Sequence, residues 1–228
     1  MRSLHALRTA GFAGILCLCA LAQNPPAAAP AEKKGLPARD APSDYQAHAA
    51  AGAVTIGAES LGHSIPRPAD EGEPLTTDDY VVIETGLFGA PGTHLKISYD
   101  DFSLRINEMK KKKPPLTCQP FGATFRSLKD PDWEAQADLE VKKEKDSASG
   151  NGINKTGTTD PPVRPHMPIE LQRKMQQHVQ KVALPEGDRA LPEAGLIFFP
   201  YHGKVESIHS MQLIYAGPAG TATLELQP

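Results

Sequence analysis

Cysteine is scarce in these 228 residues, and two of the three present, Cys17 and Cys19, fall in the apolar N-terminal stretch. Only Cys118 lies beyond it, so a chain that sheds its N-terminus has no internal disulfide. Aromatic residues are few, at 6%, with a single tryptophan, Trp133, and hydrophobic residues reach 39%. A core running through the whole chain is thereby excluded, and 22 prolines and 19 glycines point to long stretches outside it. A strong charge of either sign is missing too. The formal net charge of −3 gives no reason to expect nucleic acid as a partner. Metal-spaced Cys/His sets are absent, as are G-x-S-x-G, H-E-x-x-H and Walker-type loops. The expectation is a non-enzymatic protein with no cofactor.

What is present begins with an export signal. Arg2 and Arg8 form a short basic region, residues 10–21 are apolar, and Ala20-Leu21-Ala22 has the small-x-small form of a cleavage site. This pattern predicts a signal peptide over residues 1–22, cut before Gln23, and a periplasmic or extracellular protein. The apolar run is short of the ~20 residues that span a bilayer, so no stable membrane span is expected after cleavage. Leu16 and Leu18 precede the two cysteines where a lipid-modified cysteine follows a small residue, so lipidation is not expected either. Losing Arg2 and Arg8 leaves 22 basic against 27 acidic residues, a net charge near −5.

Composition then divides the chain. Residues 23–51 are rich in Ala and Pro and read as a disordered spacer. Residues 52–134 carry the first strands. Residues 135–167 read as a disordered insertion, in which the charged piece 138–146 forms at most a transient helix. Residues 168–228 hold a helix and the closing strands of the same domain.

The closing strands are the clearest signal. Leu196, Ile197, Phe198 and Phe199 form an unbroken apolar run between Gly195 and Pro200, which suits a strand buried on both faces. Met211, Leu213 and Tyr215 alternate with polar residues, as do Ala222, Leu224 and Leu226, and Gly217-Pro218-Ala219-Gly220 between them predicts a hairpin turn. Earlier strands are expected at 54–56, 80–88, 95–98 and 102–106, with an edge strand at 123–127 and Trp133 beneath it. The Lys110–Lys113 run reads as a solvated hairpin tip that guards a strand edge. One helix is expected, over 168–184. Pro168 suits its first position, and Leu171, Met175, Val179 and Val182 give a single apolar stripe.

Three pieces, DYVVIETGLFG, ISYDDFSLRIN and the Phe-Phe-Pro strand with its final Leu-Ile-Tyr hairpin, resemble secreted bacterial Ig-like β-sandwich domains of unknown function, of the immunoprotective-extracellular-like kind. The resemblance covers residues 54–227 less the insertion. It implies a mainly β, Ig-like antiparallel β-sandwich with one amphipathic helix and long disordered linkers. It transfers no catalytic residue. The export signal, the spacer, the strand-dominated patterning and the lack of a catalytic set together lead to an expected partner in the envelope, a protein or polysaccharide. The insertion and the helix depart from a minimal sandwich.

Among residues that can carry chemistry, His166, Met167, His209 and Met211 are soft ligands suited to copper(I), and they support an alternative reading as a periplasmic copper-handling protein. A filler methionine and a surface histidine explain the same residues without metal. Asp78-Asp79 and Asp100-Asp101 offer hard oxygen ligands for calcium, but aspartate also starts turns through its own backbone. Cys118 is either a buried small apolar residue or a free thiol. Asn154-Lys155-Thr156 fits a glycosylation acceptor pattern.

Overall fold

The computed structural model describes residues 34–107, 114–149 and 164–228. Its strands, in chain order, are β1 (Ala47–Ala51), β2 (Val54–Ser60), β3 (Ser64–Ile65), β4 (Leu75–Thr77), β5 (Tyr80–Phe88), β6 (His94–Ile97), β7 (Phe102–Ile106), β8 (Leu116–Thr117), β9 (Leu128–Lys129), β10 (Gly187–Ala190), β11 (Glu193–Pro200), β12 (Met211–Gly217) and β13 (Gly220–Leu226). Two helices join them, α1 (Pro131–Ser149) and α2 (Ile169–Val182). The main sheet runs β1-β2-β5-β11 and the second β13-β12-β7-β8, with smaller sheets β10-β6 and β3-β4-β9. Every paired strand is antiparallel. The protein is therefore mainly β, built of several antiparallel sheets that do not close into a barrel.

The core follows from the alternation. Val81, Ile83 and Leu87 of β5 and Ile197 and Phe199 of β11 face the second sheet. There they meet Phe102, Leu104, Met211, Leu213, Tyr215 and Leu224. The opposite face of the main sheet presents Val82, Leu196 and Phe198, which pack under Met175, Val179 and Val182 of α2. So β5 and β11 are buried on both sides, which is why each reads as a nearly continuous apolar run. Each such side chain contributes about 1.5–3 kcal/mol on burial. The helix stripe, β5, β7 and the closing hairpin lie where the sequence puts them. In the hairpin Gly217 pairs with Gly220, leaving Pro218 and Ala219 as the turn.

The free edge of β11 is closed by three separate segments. Leu36 N–H donates to Ala194 O (2.9 Å), Leu184 N–H to Leu196 O (2.9 Å) and Gln119 N–H to Phe198 O (2.8 Å). Alternate carbonyls of an apolar edge strand are thus each paired, and the strand offers no template for another chain.

Four expectations are corrected. The spacer assigned to 23–51 is structured from residue 34 on, while 23–33 lie outside the described residues. Leu36 bridges β11, Tyr45 is buried, and Ala47–Ala51 pairs with β2 in full register. Alanine has poor strand propensity, but its small side chain fits close contact: Ala51 is fully buried and Ala47 and Ala49 pack on the core. The insertion assigned to 135–167 is helical to Ser149, within α1; residues 150–163 lie outside the described residues. Asp130 starts this helix, its Oδ1 accepting from the Asp132 (3.1 Å) and Trp133 (3.3 Å) amides, and Pro131 takes the first position. Among the described residues there are accordingly two α-helices rather than one. The edge strand at 123–127 is instead a 3-10 turn, Phe121–Arg126, because hydroxyls bend the backbone there. Thr124 Oγ1 donates to Phe121 O (2.7 Å) and Ser127 Oγ to Thr124 O (3.1 Å). The Lys110–Lys113 run and Asn154 lie outside the described residues.

Candidate functional site

A cleft of about 390 Å³ opens between the 3-10 turn Phe121–Arg126 and the first half of α2. Its lining is Phe125, Arg126, Leu128, Met167, Gln172, Met175 and Gln176. Helical spacing brings the α2 residues together: 172, 175 and 176 are three and four apart, so they share one face. Met175 is buried, Gln176 is half-buried and Gln172 is exposed. Gln172 Nε2 donates to Met167 O (3.2 Å), which fixes the chain entering the helix along one wall. The other wall is held from below. Tyr80 Oη donates to Ala123 O (3.3 Å), and the Thr77 and Ser127 hydroxyls lie 2.7 Å apart. The Phe121 and Phe125 rings pack against each other tilted by 52°, their centroids 5.9 Å apart.

Two properties follow. The floor combines two methionines with Phe125 and Leu128, and methionine adapts its shape to what it meets. Among the described residues the one ionisable group of the lining is Arg126, exposed and with no side-chain hydrogen bond or ion pair to another described residue. A guanidinium stays charged at any ordinary pH and donates only. The cleft thus sets one fixed cation beside an apolar floor.

The four soft-ligand candidates are not brought together. Met167 lines this cleft beside the second apolar cluster, and His166 next to it is exposed. Met211 is sealed between the two sheets on the other face of the main sheet. His209 is exposed, its backbone amide donating to Asn107 Oδ1 (2.6 Å). Among the described residues no group of three or more His, Cys, Asp or Glu side chains is placed to hold a metal ion. The acidic pairs are turn residues. Asp78 pairs with Lys129, and Asp79 lies 3.0 Å from His202 Nδ1. The amide of Asp100 donates to Ser98 Oγ (3.3 Å), while burial, with the charge of Asp100 adding, raises the pKa of Asp101. Cys118 is a core residue, its thiol pushed up to about 12 by burial. It has almost no thiolate at neutral pH and is inert as a nucleophile.

Phe125, Arg126, Leu128, Gln172 and Gln176 escape the sequence reading. Phe121 and Phe125 stand four apart, a spacing that marks a helical turn but falls in a stretch read as a strand. Comparison with protein-family models, with curated proteins and with solved structures returns no match.

Proposed function

We propose that the protein is exported and serves as a non-enzymatic, Ig-like β-sandwich module that binds a protein or polysaccharide of the cell envelope. The observation that carries this reading is the N-terminal sequence: a basic start, an apolar run over 10–21 and Ala20-Leu21-Ala22 before Gln23. The folded body supports it. Among the described residues no helix is long and apolar enough to cross a membrane. The outer face of the second sheet is polar and open, with Arg105 donating to Gln212 (3.3 Å) and Gln212 to Glu225 (2.8 Å) across three strands.

Cell fractionation with N-terminal sequencing tests it. The expected product lies outside the cytosol and begins at Gln23. A cytosolic product that retains residues 1–22 overturns the reading.

A further inference from the structure

We propose that the cleft between the 3-10 turn and α2 is a binding site for an aliphatic monocarboxylate, its chain on Met167, Met175, Phe125 and Leu128 and its carboxylate on Arg126. This inference goes beyond the envelope-binding reading and does not depend on it.

Three features set the ligand class. First, the volume of about 390 Å³ falls within the range of small-molecule sites. Second, the floor is apolar and pliable, since two methionines can reshape themselves around an aliphatic chain. Third, the lining offers one cation and no anion. Arg126 has no side-chain partner among the described residues, and its planar fork matches a carboxylate in two hydrogen bonds. A phosphate dianion calls for a second cation, which this lining lacks, and a neutral lipid leaves the guanidinium unused. Gln176 also lines the cleft, half-buried and with no side-chain hydrogen bond among the described residues, and its amide can donate to the remaining carboxylate lone pairs. Gln172 is already committed to Met167 O and acts on the wall.

The test uses methyl-labelled methionine and octanoate as the probe, with the full-length gene product as isolated from expressing cells. The chain has five methionines, of which Met167 and Met175 line the cleft while Met211 lies sealed in the other core. The expected result is a saturable shift of the Met167 and Met175 methyl resonances with Met211 unmoved. Arg126→Gln should weaken octanoate about ten-fold while leaving octanol unchanged, and Arg126→Lys should lose less. The unmoved Met211 signal also reports that each variant is folded. The proposal is overturned if the two cleft resonances stay fixed, if octanol binds as tightly as octanoate, if Arg126→Gln binds octanoate like the parent, or if Met211 shifts instead.

Discussion

Tyr45 occupies the space that a side chain at Gly86 would need: a Cβ there would sit 2.5 Å from the Tyr45 phenolic oxygen. Gly57, its partner across the β2–β5 pair, is covered by the same ring at the same distance. The segment before β1 thus lies on a patch of sheet that glycine keeps bare. Gly86→Ala should cost about 1–3 kcal/mol, the usual range for overpacking. Denaturant midpoints check this, and Tyr45→Ala in the same chain should recover part of the loss. An unchanged midpoint in Gly86→Ala contradicts the contact.

Above the ring sits Arg39, its guanidinium carbon 4.4 Å from the ring centre. It bonds Glu84 through both Nε (3.1 Å) and Nη2 (2.9 Å) and reaches Glu59 at 2.5 Å. Exposed ion pairs contribute little, but Glu84 is largely buried and the contact is bidentate. A double-mutant cycle of Arg39→Met with Glu84→Gln should give a coupling of about 1–2 kcal/mol. A coupling near zero means that the segment is held by the Tyr45 ring and the Leu36 bridge without this ion pair.

Leu36 offers the direct check that this segment belongs to the fold. Its amide is paired with Ala194 O, so it should exchange with solvent as slowly as amides of β11. Exchange at the rate of an unstructured chain would restore the spacer reading of residues 34–46.

Thr85 is fully buried on the core face of β5, and among the described residues its hydroxyl has no hydrogen-bond partner. Thr85→Val keeps the shape and removes the unsatisfied group, so it should stabilise by about 1 kcal/mol. A lower midpoint in the variant would show that the hydroxyl has a partner after all.

Cys118 sets a limit at alkaline pH. Burial raises its folded pKa from 9.0 to about 12, so the unfolded chain loses the thiol proton first. The associated stability is present in full below pH 9 and is lost as pH rises toward 12, on the order of 4 kcal/mol at most. Cys118→Ala should flatten that part of the pH–stability curve. A curve of unchanged slope contradicts the burial argument.

The legible parts of the fold are those where a period and a turn agree. β5 has the expected bounds of residues 80–88 because both its faces are apolar and turns flank it. The closing hairpin is legible because Gly217 and Gly220 bracket alternating runs. The strand β1 is not, since AHAAA carries no hydrophobic contrast and pairs only because β2 and the glycine patch receive it. The cleft is harder still. Its helix wall follows from the stripe of α2, but Arg126 and Phe125 enter through a 3-10 turn whose Thr and Ser hydroxyls override the strand-like composition. Met167 and Met211 look alike in sequence, yet the main sheet stands between them.

Co-sedimentation of the mature protein with isolated cell envelopes tests the central claim most directly. The account predicts saturable binding to the envelope pellet, retained in Arg126→Gln because the cleft serves a separate ligand. Protein that stays in the supernatant at every envelope concentration would contradict it.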